Sequence, residues 1–558
     1  MLRPALFALL VTYYFLFPHA GFTGVVPDNI AQTAYFNLLS RPHLVGSIGS
    51  SSPKAGLIFL LGISHHLSYE VIQSAWPFKI LISFLFSVTL FLINRTAAAL
   101  GGEIAGAAAL LVSAASGYLT LTYFTVSSNL FFLPPVLAGL FLLCKNRERA
   151  AVVLLSVSAT VRPESLIIIA LMIAIRTLPA RRWRRSMEYS AYGAAALVVY
   201  VLVAYRVQGS WDRIGAGSGT GYPAFASLMT TEHVRSTVGQ FFRDRFVALL
   251  CLPALYALVR LPASRPLGYF FSMGVVFLGL AAAGILAFHY RYIASAQAVV
   301  FTLGCAGISL CSQQFSKPRT RELKREHLLF SVGSALLLAM VYWSARDFPT
   351  LLTMLVIPTI FLLAALIHHS GGTWLRVTHG RSLAFALLAG LAILSIIHLR
   401  QELGKLTAIP HPAIQDARDF LSEPLVGPGS SILADDEMLN YLIVKRPDYF
   451  RNARSLQSFN ILPDGDRRHV LKGTEFLYVS KRRNYGWNYL YYLPRAEWRY
   501  DAFRQAVHKM IESNQSQRIL GVTLQPVYNS PSRLIARIRP YENNASLQIR
   551  KKTAGGNR

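Results

Sequence analysis

Long apolar runs recur through roughly the first 400 residues of this 558-residue chain and constrain its fold more than any other feature. About 20 apolar residues suffice for a helix to cross the hydrocarbon core of a bilayer. Unpaired backbone groups are not tolerated in lipid, and the alternation of a membrane barrel is absent, so the runs predict an α-helical polytopic membrane protein. The runs are 80–93, 105–119, 131–143, 194–204, 267–288, 296–310, 328–343, 351–367 and 383–399.

The basic residues fall in clusters between the apolar runs. A net charge of +28 could indicate a nucleic-acid partner, but the clusters at 145–149, 176–185 and 317–325 share one side of the membrane if the N-terminus is cytoplasmic. This is the positive-inside pattern. It predicts about 13 spans, a C-terminal portion outside and no nucleic-acid partner. The short stretch 56–67 must then lie in the interface rather than span.

The first span, which starts beside Arg3, has one alternative. It could be a signal peptide cleaved after Pro18-His19-Ala20, although its basic region is minimal. The other assignments do not depend on this choice.

The composition becomes polar and mixed from about residue 405. Strand and helix signals then alternate, which predicts a small α/β domain. We expect a transmembrane domain over 1–400, an extracytoplasmic α/β domain over 401–550 and a disordered basic tail over 551–558. The predicted strands are 431–434, 474–479, 519–527 and 532–538, and the predicted helices are 438–444 and 500–512.

The polar loop after the first span contains the first carboxylate of the chain, Asp28. At the outer face of a membrane such a group can act as a general base that deprotonates an acceptor hydroxyl. Lys54 or Arg41, in the same loop, would neutralise a phosphate. The alternative is a solvated loop with ordinary surface charges.

Two further charged motifs fall at predicted outer ends of spans. Arg162-Pro163-Glu164 interrupts two apolar halves, and ionisable groups within spans are costly and usually functional. Arg162 suits a phosphate, while Glu164 either supports the site or only pairs with Arg162. His289 and Arg291 lie in His-Tyr-Arg-Tyr and could hold an anionic head group, or form an aromatic belt with a snorkelling arginine.

Metal and cofactor signatures are absent from the sequence. There is no HExxH motif, glycine-rich phosphate loop or Ser-His-Asp arrangement, and the first outer loop lacks Asp-x-Asp. No cofactor is therefore expected. A divalent metal is possible but is not indicated.

These motifs together resemble the bacterial C-type (GT-C) glycosyltransferases. The resemblance rests on Val-Pro-Asp-Asn at 26–29 with Ser-Pro-Lys-Ala-Gly-Leu at 52–57, on Ser-Ala-Thr-Val-Arg-Pro-Glu-Ser at 158–165, and on His-Tyr-Arg-Tyr at 289–292. The second is similar to a Thr-Arg-Pro-Glu-Gly turn, with Val161 and Ser165 as departures. An acidic pair is common after the first span, whereas this chain has Asn29 beside Asp28.

The resemblance implies a polyprenyl-phosphate sugar donor and an inverting transfer to a glycan, lipid or protein acceptor at the inner membrane of a bacterium. Asp28 would be the base, and Lys54, Arg162, His289 and Arg291 would hold the donor phosphate, with Arg41 and Glu164 in support. The rival interpretations are a transporter or flippase, which would place ionisable groups at mid-membrane and show inverted repeats, and a non-catalytic envelope scaffold.

Overall fold

The computed structural model divides into two compact units, which are described separately. One unit is helical, and the other contains a sheet within the C-terminal part of the chain. The structure describes residues 2–16, 54–67, 72, 76–116, 119–120, 123, 128–208, 244–261, 266–269, 290–314, 388–393, 395–397, 420, 426–435, 439, 450–456, 459, 464–481 and 502–541.

Five described helices of the first unit overlap predicted apolar runs; they are Trp76–Gly101, Glu103–Ala115, Ser128–Cys144, Trp183–Gln208 and Tyr290–Gln314. Predicted spans at 267–288, 328–343 and 351–367 lie largely or wholly outside the described residues. The helices are α1 (Leu2–Leu10, continued by a π-helical turn at Val11–Leu16), α2 (Ala55–His65), α3 (Trp76–Gly101), α4 (Glu103–Ala115), α5 (Ser128–Cys144), α6 (Glu148–Val161), α7 (Ser165–Met172, continued by a π-helical turn at Ile173–Thr177), α8 (Trp183–Gln208), α9 (Arg245–Arg260) and α10 (Tyr290–Gln314).

Helix α3 is longer than the sequence predicts. A span ending near residue 93 would place Arg95 in a cytoplasmic loop, but the helix continues to Gly101. Arg95 is therefore helical and forms an ion pair of 3.4 Å with Glu103 at the start of α4. The chain turns between the two helices at Gly102, whose φ of +95° favours glycine.

Apolar side chains cover outward-facing as well as buried surfaces of this unit. Two described helices, Pro77–Gly101 and Trp183–Arg206, are long and apolar enough to cross a bilayer. Only 17% of the apolar window of the second is buried within the unit. Exposed residues on it include Val198, Val199 and Leu202. A surface of this composition is suited to lipid rather than water.

The second unit contains a six-stranded mixed sheet in the order β2-β1-β3-β6-β5-β4. Strand β1 pairs in parallel with β2 and β3, while β3, β6, β5 and β4 form consecutive antiparallel pairs. Leu477, Val507 and Leu534 are among the residues of its core. The elements are β1 (Ser430–Ala434), β2 (Phe450–Ser455), α11 (Asp464–Lys472), β3 (Phe476–Ser480), α12 (Ala502–Ser513), β4 (Gln517–Ile519), β5 (Val522–Asn529) and β6 (Arg533–Pro540).

The predicted α/β composition is confirmed, but several elements differ from the prediction in detail. The strand predicted at 519–527 is two strands, because Leu520 and Gly521 both adopt positive φ and form a tight turn between β4 and β5. Asp435, which follows β1, is buried and its Oδ2 accepts a 2.8 Å bond from the Ser480 N–H of β3. The predicted tail at 551–558, and all but Leu439 of the helix predicted at 438–444, lie outside the described residues.

Candidate functional site

Helices α6 and α7 are separated by a sharp turn of Arg162, Pro163 and Glu164, named here the RPE turn. Arg162 is extended, at φ −145° and ψ 110°, as expected for a residue that precedes proline. The Ser165 hydroxyl donates to the Leu155 carbonyl at 3.0 Å and binds α7 back to α6. The serine that replaces the glycine expected at 165 thus has a structural role at the turn.

Arg162 is held on several sides. Its Nη2 and Nε donate to Glu164 Oε1 at 3.0 Å and 3.3 Å, and its Nη1 donates to Asn129 Oδ1 near the start of α5. The guanidinium also lies over the Phe132 ring, 5.1 Å from the centroid. Only 6% of the residue is exposed. The cation is therefore buried and preorganised.

Glu164 balances the charge of Arg162 but uses only one oxygen to do so. Burial would raise the pKa of Glu164, but Arg162, the backbone N–H of Glu164 itself and, more weakly, Lys54 outweigh it and hold the pKa of this carboxyl below its usual value. The carboxylate is thus ionised at neutral pH. Its second oxygen, Oε2, is buried and has no hydrogen-bond partner among the described residues.

Lys54 reaches the RPE turn from a distant part of the sequence. It precedes α2, and its carbonyl accepts the first hydrogen bond of that helix, from Ile58, at 2.8 Å. Helix α2 packs closely on α6 at Gly56, where an added Cβ would lie 2.5 Å from Thr160 Oγ1 and 3.0 Å from Val161 Cγ2. This close approach brings the charge of Lys54 to bear on Glu164.

The structure therefore brings together three of the predicted site residues, Lys54, Arg162 and Glu164. The other predicted positions are not available for comparison: Asp28, Arg41 and His289 lie outside the described residues, and Arg291 is described only as backbone in the first turn of α10. Their proximity to the RPE turn stays a prediction.

A second polar group joins the C-terminal end of α4, the N-terminal end of α9 and the side of α10, and it was not recognised from the sequence. The Ser116 hydroxyl donates to Asp244 Oδ2 at 2.9 Å and lies 3.2 Å from Gln297 Oε1. The Gln297 amide donates to the same Asp244 oxygen at 3.4 Å. Asp244 Oδ1 also caps α9 by accepting from Phe246 N–H at 3.0 Å. These bonds tie α4, α9 and α10 together.

Asn129, the partner of Arg162, was likewise missed, because a lone asparagine in an apolar region has no local signature. No group of three or more histidine, cysteine, aspartate or glutamate side chains that could hold a metal occurs within the part of the chain that the structure describes. Two of the three charged side chains at the RPE turn, Lys54 and Arg162, are cations, which suit an anionic group.

No protein-family model matches the chain, and no curated protein matches it. Among solved structures it is similar to two crystal structures of ArnT from Cupriavidus metallidurans, one bound to undecaprenyl phosphate and one in the apo state. Each is 12% identical, with 96% of this chain and 97% of that chain covered, at TM-scores of 0.46 and 0.45. At this level of similarity, the roles of individual residues rest on the geometry of this chain alone.

Proposed function

We propose that this protein is a membrane glycosyltransferase that moves a sugar from a polyprenyl-phosphate donor to an acceptor hydroxyl at the outer face of the bacterial cytoplasmic membrane. The observation that carries the proposal is the junction of Lys54 with the RPE turn. Two cations act there on one buried carboxylate, beside an apolar helix. A lipid phosphate is complementary to both features, because its anionic group suits the cations and its hydrocarbon chain suits the apolar helix.

The surface of α2 supports a lipid substrate. Gly56 and Leu61 face the protein, whereas Phe59, Leu60 and Ile63 are exposed. An apolar face beside a charged turn is the arrangement of an interfacial helix. Lipid tails would lie along this face while the phosphate approaches Lys54 and Arg162.

In the proposed mechanism Asp28 accepts the proton of the acceptor hydroxyl. The hydroxyl oxygen then attacks the anomeric carbon of the donor sugar, and the bond from that carbon to the phosphate oxygen breaks with inversion. The electron pair leaves on the lipid phosphate. Fixed cations stabilise the charge that develops there, which is usually the largest contribution to such a reaction. The proposed cations are Lys54, Arg162 and Arg291. His289 would contact the same phosphate, and Arg41 would support the site.

The proposed topology places the N-terminus in the cytoplasm and the domain of residues 401–550 outside the cell membrane. Single cysteines at Ser316 and Ser458 test it with a membrane-impermeant thiol reagent in intact cells, in a background without the native cysteines. We expect labelling of Ser458→Cys and protection of Ser316→Cys. The reverse pattern would contradict the topology, because the basic cluster at 317–325 would then lie outside.

The activity is tested with full-length protein in nanodiscs. The donors are undecaprenyl phosphates that carry radiolabelled glucose, mannose, galactose or arabinose, and the acceptors are envelope glycan and lipid fractions. We expect transfer from at least one donor and release of undecaprenyl phosphate. Asp28→Asn should reduce transfer by about 10²–10⁴-fold, the usual contribution of a general base.

Glu103→Gln is the matched control, because Glu103 is an exposed acid elsewhere in the helical unit and should transfer at the wild-type rate. Near wild-type transfer by Asp28→Asn would place the base elsewhere, with Glu70, Asp212 and Glu232 next to test. Movement of intact lipid-linked sugar across the membrane without transfer would favour a flippase. Binding of envelope material with neither activity would favour a scaffold.

A further inference from the structure

Glu164 leaves a buried carboxylate oxygen without a hydrogen-bond donor. Its Oε1 accepts both the Nε and the Nη2 donors of Arg162, whereas Oε2 accepts none among the described residues although it is shielded from solvent. A buried acceptor on an ionised group is normally satisfied, because an unmade hydrogen bond there is costly. Such an atom therefore points to a missing donor.

The chemistry of the surroundings restricts what this donor can be. The lowered pKa of Glu164 keeps the carboxyl charged, so Oε2 repels a phosphate oxygen and attracts an O–H group. Arg162 fixes the orientation of the carboxylate through Oε1. The anionic part of a ligand would instead go to the cations, Arg162 and Lys54. The complementary ligand thus carries a phosphate with a hydroxyl group adjacent to it.

We propose that Glu164 is a specificity residue for the donor sugar: Oε2 accepts a hydrogen bond from a sugar hydroxyl while Arg162 and Lys54 hold the phosphate next to that sugar. This inference rests on the proposed function and adds the substrate group that the RPE turn recognises. A site that hydrogen-bonds a substrate hydroxyl discriminates strongly against the analogue that lacks it, since the buried acceptor is then left unpaired.

The test measures kcat/KM for the transferred donor and for each of its monodeoxy analogues on undecaprenyl phosphate, with full-length protein in nanodiscs. In the wild type, one deoxy position should lower kcat/KM by about 10- to 100-fold, the range expected for a bond to a charged group. The deoxy-donor ratio is kcat/KM for the unmodified donor divided by kcat/KM for the analogue deoxygenated at that position. In Glu164→Gln and Glu164→Asp this ratio should fall to about three or less. The second variant keeps the charge opposite Arg162 but withdraws the oxygen.

Binding of undecaprenyl phosphate alone, which carries no sugar, separates recognition from folding. Both variants should bind it within about threefold of the wild type, because the cations remain in place. Equal loss of binding and transfer would show that Glu164 only supports Arg162. An unchanged deoxy ratio in the variants would also overturn the inference while leaving the glycosyltransferase intact. No transfer by the wild type from any lipid-linked sugar would instead overturn the proposed function, and this inference with it.

Discussion

The two ends of helix α6 carry glutamates of nearly equal exposure but different surroundings. At the N-terminal end, Glu148 is 15% exposed, and both its oxygens are engaged by Arg176, Arg185 and the Tyr189 hydroxyl. Just beyond the C-terminal end, Glu164 is 14% exposed and engages Arg162 through one oxygen only. At nearly equal burial, Glu148 joins helices through both of its oxygens, whereas we propose that the second oxygen of Glu164 accepts a hydrogen bond from a ligand.

The positions of the partners support this distinction. Arg176 follows α7 and Arg185 lies on α8, so the Glu148 network connects three helices. The Arg162–Glu164 pair joins two residues of one turn, and Asn129 and Phe132 connect Arg162 to helix α5. A helix of 14 residues is about 21 Å long, so changes at the two ends can be separated experimentally.

The largest expected effect is that of Arg162→Ala. It leaves the carboxylate of Glu164 buried without its main partner, and breaking a buried ion pair costs about 3–5 kcal/mol. Thermal unfolding in detergent, combined with undecaprenyl phosphate binding, measures both consequences. The double variant Arg162→Ala/Glu164→Gln should regain most of the stability but not the binding. Wild-type stability of the single variant would contradict the interpretation of the ion pair.

At the opposite end, Glu148→Gln should destabilise by about 1–3 kcal/mol, because Arg176 loses a charged acceptor in a partly buried site. Unlike the Arg162 variant, it should leave donor KM and the deoxy-donor ratio unchanged. Donor titrations of purified protein test this. A selective rise in donor KM would mean that the two ends of α6 are coupled.

The RPE turn at the C-terminal end of α6 was predictable from the sequence, whereas the polar group around Asp244 was not. A proline flanked by opposite charges between apolar halves is a local signal, and it correctly predicted a turn at 162–164. Asp244, by contrast, meets Ser116 and Gln297 across separations of 128 and 53 residues. Polar residues that meet only through tertiary packing leave no pattern in their own segments, so no reading of those segments could join them.

The C-terminal sheet shows the same limit on what local sequence patterns can predict. Strands β5 and β6 were predicted from their apolar alternation, apart from the turn that separates β4 from β5. Strand β2 was missed because its sequence, Phe-Arg-Asn-Ala-Arg-Ser, is polar, and it lies at the edge of the sheet, where polar residues are tolerated. Helix α11 was missed because only Val470 and Leu471 are buried, too few for a periodic signal.

A glycine contact links α2 to the RPE turn and gives an effect of intermediate size. Gly56→Ala would place a methyl group against Thr160 and Val161, and overpacking of this kind typically costs about 1–3 kcal/mol. By displacing α2 it should also move Lys54 and weaken undecaprenyl phosphate binding. Gly193→Ala on α8 is the control, since its nearest neighbour, Leu166 Cδ2, would lie at an ordinary 3.4 Å. Equal binding by the two variants would exclude a role for the α2–α6 contact.

A smaller effect is expected from a third glutamate, which shows how exposure alters the comparison. Glu103 pairs with Arg95 at 3.4 Å, but its side chain is 76% exposed. Solvent-exposed pairs contribute roughly 0–1 kcal/mol, so Glu103→Gln should change the unfolding temperature little. A loss as large as that of Glu148→Gln would show that proximity of charges, rather than burial, determines the contribution of these pairs.

The smallest effect is expected from pH near neutrality. Since the folded-state pKa of Glu164 lies below its usual value, the Arg162–Glu164 pair contributes its full stabilisation above the unfolded-state pKa of about 4.3. That contribution is lost only as the pH falls through the lower, folded-state value. Undecaprenyl phosphate binding and the deoxy-donor ratio should therefore be constant between about pH 6 and 8 wherever they depend on Glu164. A deoxy-donor ratio that fell across this range in the wild type but not in Glu164→Gln would mean that the Glu164 carboxyl titrates near neutrality. Arg162 would then not be holding it in the charged form that the proposed hydroxyl contact requires.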